Sequence, residues 1–171
     1  MKQAGFSLLE LSIIIALIGF LIMLGIMAFP SYDRLFVHTE LDRLYMAFLA
    51  CSHKAIATGV AQTISFDPTT NTLTLDGTEQ KLTSRVCFGS LAQSWGPPAS
   101  PAAPIEDPIT FKHHQAICYP DGTIQAGSIY LTDSNKQHMF ALTSAVGQVP
   151  YVRRYRYNAS VSRNQAWELI V

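Results

Sequence analysis

The sequence has no excess of either charge. Twelve lysines and arginines stand against twelve aspartates and glutamates, so the formal net charge is zero. A chain balanced in this way has no general electrostatic attraction for nucleic acid. It has no glycine-rich phosphate loop and no nucleophile elbow that would place Ser, His and Asp for catalysis. His113-His114 is a tandem pair, but adjacent strand residues point to opposite faces and chelate one metal poorly. No Cys or His partner stands at a ligand spacing from it. No catalytic site, metal or cofactor is therefore expected, and the chain does not read as an enzyme. There are only three cysteines, Cys51, Cys87 and Cys118, in no spacing pattern, and an odd number leaves buried thiols as one reading. There is no internal repeat.

Charge is missing altogether between Glu10 and Asp33. Residues 6–29 are almost wholly apolar, and as a helix they would be about 36 Å long at 1.5 Å per residue. That length crosses the roughly 30 Å hydrocarbon core with some tilt. A buried helix at the centre of a soluble protein is an alternative, but one core rarely needs so long an apolar run. A secretory signal would share the basic start at Lys2, yet it has a shorter core and a small-x-small cleavage site. Here the run ends in Ala28-Phe29-Pro30-Ser31-Tyr32, without such a pair. Simple anchoring explains the length and leaves Glu10 unexplained, since an isolated acid in a membrane helix is expensive.

The helix is expected to continue past Pro30, kinked by the lost hydrogen bond. Leu41, Leu44, Tyr45, Phe48, Leu49 and Ile56 then recur at helical spacing, opposite Asp42, Arg43, Ser52 and Lys54. The amphipathic helix should end near Gly59 and lay its apolar face across a sheet. Short strands follow: Gln62 to Phe66, Thr72 to Leu75 and Thr78 to Leu82. The first pair is separated by the turn Asp67-Pro68-Thr69-Thr70-Asn71 and the second by Asp76-Gly77. Ser84 to Phe88 reads as a further strand. Residues 89–108, punctuated by Gly96-Pro97-Pro98, Pro101, Pro104 and Pro108, read as an exposed loop, with a partner contact as the sharper alternative. Strands are expected again at Ile109 to Phe111, Gln115 to Tyr119, Gly127 to Thr132, His138 to Ser144 and Tyr151 to Tyr157.

The leader Gly5-Phe6-Ser7-Leu8-Leu9-Glu10, joined to the apolar helix, resembles the class III leader of type IV pilins and type II secretion pseudopilins. The resemblance implies cleavage between Gly5 and Phe6 by a prepilin peptidase, which then N-methylates Phe6. Glu10 falls on the family's glutamate and is implied as the assembly contact to the amine of a neighbouring subunit. An ion pair in a low-dielectric bundle discriminates against wrong registers. Removing residues 1–5 with Lys2 leaves eleven basic against twelve acidic side chains.

The second half is similar to the H-type minor pseudopilins and related minor pilins, the GspH/FimT class. The residues that carry this are Ile109-Thr110-Phe111, Tyr119-Pro120-Asp121-Gly122-Thr123, Gly127-Ser128-Ile129-Tyr130-Leu131 and Phe140-Ala141-Leu142-Thr143-Ser144, closing at Gly147. The family's glycine-arginine-x-arginine is replaced here by Gly147-Gln148-Val149-Pro150.

The implied fold is α+β, a long N-terminal helix packed on an antiparallel sheet head. Residues 1–5 would be the leader, 6–29 the membrane and assembly helix, 30–59 its amphipathic continuation and 60–171 a periplasmic head. The implied function is that of a minor pseudopilin near the tip of a type II secretion pseudopilus. Its partners would be the peptidase/methyltransferase, other pseudopilins or pilins, the inner-membrane secretion platform and membrane lipid. A periplasmic head permits a disulfide, and Cys87 with Cys118, both in strand-like segments, are the favoured pair.

Two alternatives stand beside this function. One is a minor type IV pilin that primes assembly or binds DNA, with Arg153, Arg154 and Arg156 interleaved with tyrosines as the contact. In a strand Arg153 would share a face with Tyr151, Tyr155 and Tyr157, and Arg154 and Arg156 would take the other with Val152. The second is a membrane-anchored periplasmic binding domain that never polymerises.

Overall fold

The computed structural model describes residues 7–28, 32–144 and 151–170. The chain divides into two units, residues 1–32 and 33–171. The first is built on helix α1, Leu8–Ala28. Pro30 and Gly147-Gln148-Val149-Pro150 lie outside the described residues.

The second unit begins with helix α2, Tyr32–Thr58. Gly59, at φ +66°, ends it in the left-handed conformation that glycine adopts without strain. The buried stripe of α2 runs through Val37, Leu41, Leu44, Phe48, Cys51 and Ala55. Two residues depart from the expected faces. Ile56 is 53% exposed, because it sits about 100° round from the centre of that stripe. Ser52, expected on the polar side, is buried. Glu40 is buried as well, at 4% exposure.

Most of the strands form two antiparallel sheets. The first has the order β3-β2-β1-β7, from Thr78–Lys81, Thr72–Leu75, Gln62–Asp67 and Gln115–Cys118. Asp76 and Gly77 both have positive φ, the geometry of a two-residue hairpin turn between β2 and β3. Asp67 turns the chain from β1 to β2 by accepting the Thr69 N–H at 2.8 Å. The second sheet has the order β11-β10-β9-β8-β4, from Trp167–Ile170, Val152–Tyr157, Met139–Ser144, Gly127–Asp133 and Val86–Phe88. The α+β class is therefore what the chain adopts. Ile109 makes only an isolated bridge to Ile129 rather than part of a strand, and β11 is a strand the pattern did not signal.

One hydrophobic cluster joins the α2 stripe to the inner faces of both sheets. Phe48 on α2 stacks on Phe66 of β1 at 6.1 Å between centroids and meets Phe111 at 5.9 Å. Side chains alternate along a strand, so Ile129 and Leu131 of β8 enter this cluster while Tyr130 points the other way. Tyr130 joins Ala141 of β9 and Tyr155 of β10 in a second cluster with Ile105 and Trp167.

The segment read as an exposed loop, residues 89–108, keeps many exposed positions but also contributes Ile105 to that second cluster. The segment folds as a two-strand ribbon, β5 Trp95–Gly96 with β6 Ala103–Pro104, and covers the outer face of the five-stranded sheet. The Trp95 carbonyl accepts the Trp167 Nε1–H at 2.7 Å, and the Arg163 guanidinium lies 3.4 Å from the centroid of the Trp95 ring. A Cβ on Gly96 would stand 2.5 Å from the Tyr130 hydroxyl. The segment sits down on the sheet because glycine leaves that space.

Candidate assembly surface

Helix α1 carries the surface that the sequence singles out. Leu8–Gly25 is long and apolar enough to cross a membrane, and none of these residues is buried. Leu8 is 86% exposed and Leu9, Leu17, Phe20 and Ile22 all exceed half exposure. An apolar surface of this extent on one helix has no stable place in water, so the helix is a candidate membrane anchor.

Its first turn is set by Ser7 and Glu10. The Ser7 hydroxyl accepts the Leu9 N–H at 3.2 Å, and Glu10 Oε2 accepts the Ser7 N–H at 3.0 Å. This reciprocal arrangement is a capping box. It satisfies two of the N–H groups a helix start leaves unpaired and puts an anion at the positive end of the helix dipole. The signal, Ser-x-x-Glu ahead of an apolar run, stands in the sequence. The proposed cleavage and methylation positions, Gly5 and Phe6, lie outside the described residues.

The arginine cluster is divided by the sheet. Arg154 faces α2: its Nη1 lies 2.6 Å from Asp42 Oδ1 and its guanidinium 4.8 Å from the centre of the Tyr45 ring. Arg156 stands 3.7 Å from Glu168 on β11. Arg153 is exposed and lies over the Tyr151 ring at 4.2 Å. Tyr155 and Tyr157 pack on Trp167, with centroids 6.5 and 4.9 Å away. The expected partition of side chains holds, and its consequence is that the three guanidiniums do not form one cationic surface. Two already have carboxylate partners, and two of the three tyrosines, Tyr155 and Tyr157, are packed against a tryptophan.

The favoured cysteine pairing is not what the structure brings together. All three cysteines are free thiols. Cys87 lies on β4, in the five-stranded sheet, and its thiol donates to the Thr132 carbonyl at 3.7 Å. Cys118 lies on β7, in the other sheet. Cys51, on α2, and Cys118 are both fully buried in the main core cluster. Mutual interaction of the two thiols holds Cys51 below the ordinary value, against burial, and together with burial pushes Cys118 up.

His113 and His114 lie in a short 3₁₀ turn, Lys112–His114, both at positive φ. His114 Nε2 is 3.2 Å from Asp107 Oδ2. Among the described residues no group of three His, Cys, Asp or Glu side chains could hold a metal ion. A groove of about 460 Å³ runs between the proline-rich ribbon and β8, lined by Gly96, Pro97, Ile105, Asp107, Gly127 and Tyr130 among others.

No family model matches the chain, and no curated protein matches it. Among solved structures, the chain is similar in fold to the minor pseudopilin EpsH from the Type 2 Secretion System of Vibrio cholerae. The two are 11% identical, with a TM-score of 0.47, over 68% of this chain and 94% of that one.

Proposed function

We propose that this chain is a minor pseudopilin, a structural subunit of a type II secretion pseudopilus and not an enzyme. It is cut after Gly5, methylated at Phe6, held in the bacterial inner membrane by residues 6–29 and assembled near the filament tip with its head in the periplasm. The observation that carries this reading is the coupling of Gly5-Phe6-Ser7-Leu8-Leu9-Glu10 to an apolar helix, Leu8–Ala28, whose span Leu8–Gly25 is uncovered. A plain anchor needs the apolar length and nothing more. A filament subunit needs that length, a cut that frees an amine at the helix start, and an acid one turn inside to meet it. Lipid covers α1 before assembly and neighbouring subunits cover it afterwards; the head supplies lateral contacts.

Mass spectrometry of the membrane-extracted protein tests the reading directly. The expected mature N-terminus is methylated Phe6; any other start refutes it and favours a non-polymerising anchored domain. Deletion then separates the machines. Loss of exoprotein secretion is expected, whereas loss of piliation or transformation with secretion intact moves the subunit to a type IV pilus.

A further inference from the structure

Two guanidiniums share a cleft between α2 and the five-stranded sheet. Arg156 of β10 stands in a cross-strand row, opposite Phe140 of β9 and Glu168 of β11, and directly opposed residues share one face of a sheet. His38 of α2 meets the Phe140 ring edge-on at 5.9 Å, which lays the helix along this row. Two residues away on β10, Arg154 meets an acid from α2, with Nη1 2.6 Å from Asp42 Oδ1. At Arg156 the helix supplies Arg34 instead, one turn before His38. Arg34, Phe140 and Arg156 are shared walls of two cavities, of about 240 and 250 Å³. The larger includes Glu168, whose side chain is 64% exposed and 3.7 Å from Arg156. The smaller is lined by no carboxylate, and its walls include Asn158. Asn158 Oδ1 accepts the Ser160 N–H at 3.1 Å, so the oxygen of that amide is engaged and its NH₂ donors remain. Among the described residues no carboxylate forms an ion pair with Arg34.

We propose that this cleft binds the phosphate of an anionic phospholipid while the subunit waits in the membrane as a monomer. Like charges that line one small cavity repel, and the acid that relieves Arg154 has no counterpart on α2 here, so a bound anion lowers the energy of both arginines. A guanidinium presents a planar fork of N–H donors that matches phosphate oxygens. The tether selects the source of the phosphate. Arg34 is nine residues beyond Gly25, where the apolar span ends, and nine residues reach at most about 32 Å. The cleft is therefore held within reach of the headgroup layer, where the effective concentration of lipid phosphate is high. A zwitterionic lipid carries its own cation beside the phosphate, which the two arginines repel. The lipid source rests on the anchoring by residues 6–29 proposed above; the charge arrangement does not.

The test uses the full chain in an uncharged detergent, with phosphatidylglycerol or phosphatidylcholine added and bound lipid counted by native mass spectrometry. One phosphatidylglycerol is expected to stay bound, with about tenfold preference over phosphatidylcholine. Arg34→Gln and Arg156→Gln should each weaken its binding about tenfold. Arg153→Gln, which removes the exposed guanidinium over Tyr151, should leave it unchanged. Glu168→Gln removes the competing acid and should tighten binding about two- to fivefold, a gain that a misfolded head could not give. Equal retention of the two lipids, equal loss in Arg153→Gln, or binding unmoved by both Arg34→Gln and Glu168→Gln overturns the proposal. Inorganic phosphate that displaces the lipid at equal concentration assigns the cleft to free phosphate, and a DNA duplex that does so assigns it to nucleic acid; either overturns the lipid source. Carbonate washing of membranes reads the anchor separately. An anchored chain that binds no phosphatidylglycerol refutes the cleft alone. A chain that carbonate strips away refutes the anchoring, and its phosphatidylglycerol binding still decides the cleft.

Discussion

Gly127 opens β8 directly beneath the Phe111 ring, and Gly127→Ala measures how tightly that corner of the core is closed. A Cβ at Gly127 would lie 2.5 to 2.6 Å from three carbons of the ring. Carbon atoms rest at about 3.5–4.0 Å, so the ring or the strand must move by about 1 Å. Phe111 is 3% exposed and packs on both Phe48 and Phe66, so the displacement propagates into the centre of the cluster. Overpacking of this kind costs about 1–3 kcal/mol. The opposing effect is the stiffer unfolded chain that alanine provides, worth about 0.4–1 kcal/mol. The clash wins, and the net loss should be about 1–2 kcal/mol. For a chain of this size that is a fall in Tm of about 2–8 °C, read by circular dichroism on the detergent-solubilised protein. Phe111→Leu should cost less in the Gly127→Ala background than alone, because the smaller side chain relieves the contact. An unchanged or raised Tm for Gly127→Ala, or strictly additive effects in the double variant, would refute the close-packed account of this corner.

Glu40 accepts both the Thr83 N–H, at 3.0 Å, and the Thr83 hydroxyl; Glu40→Ala should destabilise the head by about 2–4 kcal/mol in denaturant unfolding, since it strands a part-buried donor that a charged acceptor now holds. Trp167→Phe removes the 2.7 Å bond to the Trp95 carbonyl while keeping an aromatic ring, and should cost about 1 kcal/mol, with faster proteolysis confined to residues 89–108. Asp121 accepts from the Thr123 hydroxyl and N–H at 2.6 and 2.9 Å, which hold its carboxyl below the ordinary value of 3.8. A depressed folded-state value means its contribution is complete above 3.8 and is lost as pH falls through the lower folded value; the acid limb of a stability–pH curve should therefore be shallower in Asp121→Asn, and identical limbs would count against that turn.

Local signals carried much of the fold. The Asp76-Gly77 hairpin, the alternation in Thr72 to Leu75, and the chain-terminating Gly59 are short-range features whose physics is complete within a few residues. What could not be read was what covers what. Gly127-Ser128-Ile129-Tyr130-Leu131 reads as a strand, but only its near-continuous burial shows that both faces are covered. Proline told correctly that residues 89–108 lack long elements but said nothing of the sheet face beneath them, and so the ribbon was missed. β11 is four residues long at a sheet edge and half of it is exposed, so Trp-Glu-Leu-Ile carries no alternation that marks a strand. That Cys87 and Cys118 fall in different sheets is a matter of topology, which spacing cannot encode. The division of the arginines follows from strand alternation alone, whereas the carboxylate partner of Arg154 comes from α2, far away in sequence.

Glu10 now has two roles to reconcile, and a substitution distinguishes them. In the isolated chain the carboxylate is turned back to the start of its own helix, where Oε2 caps Ser7. In the proposed filament it meets the amine of a neighbour. A carboxylate accepts at about four lone-pair positions, so one bond to Ser7 leaves capacity for an ammonium group. The cap also fixes the acid at the helix end, where a freed N-terminus would lie. Glutamine closes a capping box as glutamate does but carries no charge. Glu10→Gln should therefore leave the helix start, membrane insertion and processing at Phe6 intact while abolishing co-purification with neighbouring pseudopilins. Glu10→Ala removes the cap as well and should add about 1 kcal/mol of helix destabilisation. If Glu10→Gln assembles as the native chain does, the carboxylate is a helix cap and nothing more, and the register of any filament must be set elsewhere along α1.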